Sequence, residues 1–180
     1  MQSFVSKSLA IFISETIGEV SALIIEPPVC KAMFVLAHGA GAGMNHRFME
    51  AFAAALAERN VGTIRYNFSY MENSKRRPDP PAVAEKTVAR VLEKAYELYP
   101  SVPLFAGGKS FGGRMTSQRL SKEHADFVKG IVFVGFPLHT AGEPATNRAD
   151  QLSAVTIPML FLQGTRDALA ELSLLEPVVK

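Results

Sequence analysis

The segment from Leu104 to Gly113 places a serine between glycines at a spacing typical of nucleophilic catalysis. A short apolar run is followed by Gly-x-Ser-x-Gly, formed by Gly108, Ser110 and Gly112, and then by residues with helical spacing. A strand, sharp turn and helix of this kind lift a serine hydroxyl above the end of a sheet. Side chains two residues before and after the serine would collide with the neighbouring strand and helix. Ser110 is therefore a candidate nucleophile for acyl transfer, and a serine that only forms a tight turn is the alternative.

A second glycine-rich segment, residues 38–43, follows another apolar run. Attack on a carbonyl creates an oxyanion, which needs two backbone N–H donors aimed at it in advance. We expect the N–H of Ala40, or alternatively that of Gly41, to be one donor, and Phe111, directly after the serine, to supply the other. Gly39 and Gly41 would let this backbone approach a substrate closely.

His38 opens the glycine-rich segment, and we interpret its ring as structural. Hydrogen bonds to neighbouring loop backbone would hold the donor loop in shape, and proton transfer is the less favoured interpretation. A dinucleotide-binding loop is also disfavoured, because the spacing is G-x-G-x-G rather than G-x-G-x-x-G. The next predicted strand ends in Arg65-Tyr66-Asn67, without an acid to hold a ribose. No cofactor is expected.

Asp167 lies just past the end of the last predicted strand, in the segment Gln-Gly-Thr-Arg-Asp. An acid there suits the member of a catalytic triad that orients a histidine and stabilises its positive form. The order serine, then acid, agrees with this interpretation. The alternative is that Asp167 caps a helix beginning near Ala168.

Two basic features have simpler interpretations than catalysis. Gly108-Lys109-Ser110 looks like the end of a phosphate-binding P-loop, but Pro103 stands where that motif needs its first glycine. Lys109 is expected to face solvent or the site edge, and the run 75–77 to be a solvated loop. Contact of either with an anionic substrate is the minority alternative.

These candidates lie at the ends of predicted strands that alternate with predicted helices. The predicted elements are strands 9–14, 20–26 and 32–37, helix 47–59, strand 62–68, helix 83–99, a strand ending at residue 109, helix 112–122, strand 130–134, a helical piece 149–154, strand 159–163 and a last helical segment running out at residue 180. Each parallel crossover needs a covering helix, so the alternation predicts a mostly parallel α/β sheet with helices on both faces. The first two strands should form an antiparallel hairpin. We expect one domain over residues 1–180.

Four ordered motifs together resemble the α/β-hydrolase superfamily, and more narrowly its dienelactone-hydrolase-like branch, which includes bacterial predicted hydrolases and an animal testis-expressed relative. The motifs are residues 38–42, 107–115, Gly-Phe-Pro-Leu-His at 135–139, and 163–167. The resemblance runs from about Lys31 to Asp167. It implies a doubly wound sheet and a Ser–Asp–His hydrolase of an ester, thioester or similar acyl bond, without naming the substrate.

The resemblance also implies a further strand and a loop with the catalytic histidine after Asp167. The sequence ends thirteen residues later and has no histidine beyond His139. We therefore expect that the sequence is truncated and lacks the last strand, or that the protein lacks the general base. His139 could stand in, although its place in the order is wrong for this fold. Activity of the chain is expected to be very low, and an exposed sheet edge would favour pairing with a second copy.

Composition narrows the remaining classes. A net charge of +2 is too small to argue for nucleic acid. A single cysteine, Cys30, allows no internal disulfide and no metal-type spacing, which fits a cytoplasmic location without a metal. No apolar run is long enough for a membrane span. The favoured hypothesis is a small serine hydrolase of acyl substrates, and the alternative is a catalytically impaired binding or interaction module with the same fold.

Overall fold

The computed structural model describes residues 4–179, in which seven strands form one sheet. The strands are β1 (Ser6–Ser14), β2 (Gly18–Ile25), β3 (Ala32–Ala37), β4 (Val61–Tyr66), β5 (Leu104–Lys109), β6 (Val128–Val134) and β7 (Met159–Leu162). The helices are α1 (Arg47–Ala57), α2 (Ser69–Glu72), α3 (Pro81–Leu98), α4 (Phe111–Lys122) and α5 (Leu172–Leu175), with a 3-10 helix at Asn147–Ala154.

The strand order is β1-β2-β4-β3-β5-β6-β7. β1 and β2 form an antiparallel hairpin, and β2 also pairs antiparallel with β4. All pairs from β4 to β7 are parallel. The predicted fold class, a mostly parallel sheet of α/β-hydrolase type with an amino-terminal antiparallel hairpin, is therefore confirmed.

Register aligns the carboxyl ends of the central strands. Ala37 pairs with Gly108, Lys109 pairs with Val134, and Val134 pairs with Leu162. The loops that begin after these residues therefore emerge along one edge of the sheet. Ligands of open parallel sheets bind at this edge, beyond the carboxyl ends of the strands.

Helices cover both faces of the sheet. α3 and α4 pack against each other, and their apolar stripes join the largest core cluster. In α3 the buried stripe recurs at helical spacing and comprises Ala84, Val88, Val91, Leu92 and Ala95. α1 covers a smaller cluster around Phe34, Leu36 and Met49 on the opposite face. Among residues 4–179 no helix is long and apolar enough to cross a membrane.

Three helical details differ from the sequence-based expectations. The four-residue helix α2 lies between the predicted strand 62–68 and the predicted helix 83–99, and it is too short to show a helical period. α3 begins at Pro81 rather than residue 83, because proline is well suited to the first helical position. The last helix ends at Leu175 instead of running to Lys180, which lies outside the described residues.

Candidate active site

Ser110 lies in the sharp turn between β5 and α4, and it has a strained backbone. Its φ and ψ are 48° and −112°, a combination that side chains disfavour, with a cost of roughly 1–3 kcal/mol. Its N–H donates to the Val134 carbonyl over 3.2 Å, and its carbonyl accepts from the Arg114 N–H over 3.1 Å. The turn is thus tied to the next strand and to the first turn of α4, which holds the strained conformation.

The predicted requirement for glycine on both sides of Ser110 has a direct steric basis. A Cβ on Gly108 would overlap the carbonyl oxygen of Ala37 on β3. A Cβ on Gly112 would lie 2.6 Å from both Ala37 Cβ and the His38 carbonyl oxygen. Both obstacles belong to β3 and the residue after it, so the absence of these side chains lets β5 and α4 approach that strand.

The glycine-rich loop after β3 lies beside the serine turn. A Cβ placed on Gly39 would be 3.8 Å from the Cβ of Ser110. Ala40 and Gly41 are exposed. Within residues 4–179, the N–H groups of Ala40, Gly41 and Phe111 donate to no protein acceptor. The loop that lies against the serine turn and the first residue of α4 therefore carry backbone N–H groups without a protein acceptor, and their role as oxyanion donors stays a prediction.

His38 is completely buried and bonded to backbone at both ring nitrogens. Nδ1 lies 2.8 Å from the Gly39 carbonyl oxygen, and the Phe68 N–H donates to Nε2 over 3.1 Å. Since Nε2 accepts, the proton of the neutral ring is on Nδ1. Burial lowers the pKa of His38 from its ordinary 6.5 to about 4, so the ring is neutral at pH 7. It joins the donor loop to the segment after β4.

Three further side chains hold the donor loop, and sequence reasoning missed their roles. The Tyr70 hydroxyl donates to the Ala40 carbonyl over 2.9 Å. The Asn67 side-chain oxygen accepts from the Met44 N–H over 2.8 Å, and a guanidinium N–H of Arg65 donates to the Met44 carbonyl over 2.9 Å. These contacts join residues more than twenty positions apart, so no local sequence pattern announces them.

Asp167 lies after β7, above the end of β6. A Cβ on Gly135, the residue after β6, would be 3.4 Å from Asp167 Oδ2. The Gln163 side-chain amide donates to Oδ2 over 2.8 Å, and the Leu169 N–H donates to Oδ1 over 2.9 Å. The side chain thus closes a turn, and the expected helix near residue 168 is absent because α5 begins at Leu172.

The structure brings Ser110 and Asp167 to the same sheet edge without direct contact. Across the described part of the chain, no hydrogen bond joins the two side chains, and the end of β6 separates them. The Gln163 side-chain oxygen also accepts the Phe136 N–H over 2.7 Å, and Gln163 is a fourth residue whose role the sequence does not predict. A catalytic triad would place a histidine ring in the gap between the serine and the acid.

His139 does not fill that gap. It is buried, its Nδ1 lies 2.8 Å from the Thr140 carbonyl oxygen, and its Nε2 accepts the Glu171 N–H over 3.4 Å. Both ring nitrogens are used by backbone, so neither can take a proton from Ser110. The remaining cation near the turn, Lys109, directs its Nζ over the Phe48 ring, 5.4 Å from the centroid, on the α1 side of the sheet.

The assembled groups suit one type of chemistry. A hydroxyl on a strained turn lies beside free N–H donors, and a carboxylate follows β7, two strands further along the sheet. Such donors stabilise the negative charge that develops when a hydroxyl attacks a carbonyl. No group of three or more residues suited to hold a metal ion occurs among residues 4–179.

Comparison with known proteins agrees with this geometry. A family model described as an alpha/beta hydrolase domain matches residues 30–178. Among solved structures, an alpha-beta serine hydrolase homologue from Coxiella burnetii superposes with a TM-score of 0.76 at 19% identity, covering 99% of this chain and 83% of its own. An α/β serine hydrolase without lid from Xanthomonas campestris gives 0.73 at 18% identity, with 98% and 79% covered. A dienelactone hydrolase from Anabaena variabilis gives 0.69 at 13% identity, with 99% and 94% covered. At these identities the structural likeness shows the fold.

Proposed function

The chain belongs to the alpha/beta hydrolase family, and on that premise we propose that it is a serine hydrolase of ester- or thioester-type acyl substrates. The observation that carries the proposal is the strained turn at Ser110 beside the free N–H groups of Ala40 and Phe111. A turn held this way is costly for folding and useful for presenting a hydroxyl, which favours a role in chemistry.

In the proposed reaction the Ser110 Oγ attacks the carbonyl carbon of the substrate while its proton passes to a base. The carbonyl oxygen becomes an oxyanion between the N–H groups of Ala40 and Phe111. Loss of one such donor typically lowers turnover by about 100- to 1,000-fold, so this pair is expected to supply several kcal/mol. As the tetrahedral intermediate collapses, the protonated base gives its proton to the leaving oxygen or sulfur, the alcohol or thiol departs, and the acyl group stays on Ser110. Water, deprotonated by the same base, then attacks this acyl group, the carboxylic acid leaves, and the Ser110 hydroxyl regains its proton.

The base in this proposal is a histidine that Asp167 orients, as in other serine triads. The sequence has no histidine after His139, and the ring of His139 is occupied by backbone bonds. Removal of the base from a serine triad lowers turnover by about a million-fold, roughly 8 kcal/mol. The free donors alone retain on the order of a thousand-fold over water. The 180-residue chain is therefore expected to be a weak catalyst.

The proposed pocket is open. The segment between β6 and β7 contributes only the eight-residue 3-10 helix at Asn147–Ala154, too little to form a large cap. The Xanthomonas campestris protein, described as lacking a lid, has the same fold. We therefore propose that small acyl substrates reach Ser110 directly from solvent. We also propose that the protein is cytoplasmic and uses no cofactor.

A non-catalytic binding module is the second candidate, and one observation favours it. His38 and His139 are both bonded to backbone at both ring nitrogens, so neither is placed to accept the Ser110 proton. In either candidate, the edge of β7 could pair with a second copy. Its Leu160 and Leu162 are 54% and 44% exposed. Light scattering of the purified chain would detect such a dimer.

Labelling with a fluorophosphonate probe tests the proposed function. We expect slow, stoichiometric labelling of the 180-residue chain and complete loss of labelling in Ser110→Ala. Labelling should be unchanged in the control Ser101→Ala, whose serine is exposed and precedes β5, at the opposite end of that strand from the turn. A circular dichroism melt verifies that each variant is folded. A folded chain with no Ser110-dependent labelling would support the binding module instead.

A further inference from the structure

A cavity opens beside Phe111, the residue that follows Ser110, and four of its nine lining residues are cationic. Its volume is about 940 Å³, and Phe111, the proposed oxyanion donor, forms part of its wall. The charged lining comprises Lys75, Arg76, Arg77 and Arg114, with Asp79 as the acid. Four cationic side chains around one concave surface repel one another, so the arrangement is favourable when an anion lies between them.

Arg114 is the best-placed of these cations for a specific contact. It is half-buried on α4, and in the described part of the chain its guanidinium makes no hydrogen bond and no ion pair. Burial, and then the charge of Arg148, lowers the pKa of Arg114. A guanidinium offers five N–H donors in a fork that matches a carboxylate or phosphate, so an unpaired, half-buried one is suited to bind either.

The loop that carries the other cations is fixed to the candidate site. Asp79 Oδ2 accepts the Tyr70 N–H over 3.0 Å, and the Tyr70 hydroxyl donates to the Ala40 carbonyl over 2.9 Å. One oxygen of the acid in the lining is thus used by backbone, and the same tyrosine connects this loop to the donor loop. The exposed side chains of residues 75–77 are therefore held near the wall that Phe111 forms.

We propose that this cavity binds a carboxylate or phosphate group on the non-reacting part of the acyl substrate, with Arg114 as its main partner. The inference rests on the proposed function for the identity of the reacting group. The Arg114 N–H donates to the Ser110 carbonyl over 3.1 Å, so Arg114 lies one turn of α4 beyond the serine, a separation of roughly 5–6 Å along the helix axis. A substrate with its anionic group three or four carbons from the attacked carbonyl would span this distance. Neutral esters of the same length would lack the partner for Arg114.

Calorimetric binding to the 180-residue Ser110→Ala variant separates recognition from turnover. The three probes are monomethyl glutarate, methyl 4-phosphonobutanoate and dimethyl glutarate, which carry a carboxylate, a phosphonate and no charge on similar scaffolds. We expect at least one anionic probe to bind about tenfold or more tightly than the neutral diester. The preferred anionic probe distinguishes carboxylate from phosphate recognition.

Added substitutions in the Ser110→Ala chain identify the partner. Arg114→Gln should abolish the preference for the anionic probe and leave the neutral probe unaffected. The double variant Arg76→Gln, Arg77→Gln, on an exposed loop that tolerates substitution, should weaken the anionic probe severalfold. Lys86→Gln, an exposed cation of α3 outside the cavity lining, controls for net charge and should have no effect.

Equal binding of charged and neutral probes, or no measurable binding of either anionic probe, would overturn the inference. An unchanged preference in both the Arg114 variant and the loop double variant would overturn it as well. Fluorophosphonate labelling of the unsubstituted chain distinguishes the two proposals. Anion preference without Ser110 labelling supports the cavity and rejects the hydrolase, whereas labelling without anion preference rejects only the cavity.

Discussion

The serine end of the candidate site and the acid end are built very differently. β5, which leads to Ser110, is flanked by β3 and β6 and is mostly buried. β7, which leads to Asp167, has four residues, pairs only with β6 among the described strands, and alternates between half-buried and exposed positions. Backbone from two neighbouring strands confines the serine turn, whereas Asp167 is held by Gln163 and a local turn.

The difference shows that the serine end is fixed in advance more firmly than the acid end. An oxyanion site works only if its donors are fixed before the reaction, so its backbone must resist movement. A carboxylate that orients a histidine acts through one hydrogen bond and tolerates a looser setting. The serine end forms the central half of the site, and its stability should therefore fall sharply on small changes in volume, hydrogen bonding or protonation. The acid end forms the edge half, and its stability should change little.

The largest expected effect contrasts a glycine from each half. Gly108→Ala would force a methyl group into the Ala37 carbonyl, whereas Gly164→Ala meets no atom within 4 Å. We expect Gly108→Ala to lower the free energy of unfolding by about 3–5 kcal/mol, and Gly164→Ala to change it by less than about 0.5 kcal/mol. Urea unfolding measures both. Similar losses for the two variants would remove the distinction between centre and edge.

A second effect concerns protonation at the centre. His38 has a folded-state pKa of about 4, below its ordinary 6.5, so the unfolded chain takes up the proton first as pH falls. The stabilising contribution of the neutral ring is complete above pH 6.5 and is lost towards pH 4, by roughly 3 kcal/mol. Urea unfolding from about pH 7 to about pH 4.5 should therefore show a steeper loss for the unsubstituted chain than for His38→Gln.

The exposed His124 supplies the matched control for that measurement. His124→Gln should keep the acid sensitivity of the unsubstituted chain, because it leaves the buried His38 ring in place. If His38→Gln retained the full pH dependence, the buried ring would not be the source. His38 would then not be held neutral in the folded chain.

The smallest effect tests one hydrogen bond of the donor loop. Tyr70→Phe removes the donor to the Ala40 carbonyl and should lower the free energy of unfolding by about 1 kcal/mol. Amide exchange should rise in residues 39–46 and remain unchanged near Asp167. Tyr96→Phe, at an exposed tyrosine, should alter neither quantity. Faster exchange at both halves would mean that the loop and the acid are coupled more closely than their contacts indicate.

Two features that depend on local sequence were predicted as the structure has them. The run Ala32–Ala37 was predicted as a buried central strand with the bounds that the structure has, because six consecutive apolar residues fit few other environments. The placement of Ser110 between β5 and α4 followed from glycine spacing in the same way. Both features are decided within about ten residues of chain.

Contacts between residues far apart in the sequence could not be predicted from it. The bond from the Phe68 N–H to His38 spans thirty positions, and the roles of Tyr70 and Asn67 depend on which loops the fold brings together.

The length of the last helix was predicted to be greater than it is, because apolar residues continue past Leu175. Pro177 cannot donate a helical N–H, and the helix ends before it. Ser110, Asp167 and the predicted donors keep their assigned roles as predictions for the labelling and binding experiments.

From β5 onward the sheet grows outward in the order of synthesis, since β5, β6 and β7 lie side by side in chain order. Every contact that confines the serine turn comes from residues up to Val134. A nascent chain can therefore complete that turn while the segment bearing Asp167 is still inside the ribosome. The strained conformation would be acquired early in biosynthesis, and the acid would join a framework already set.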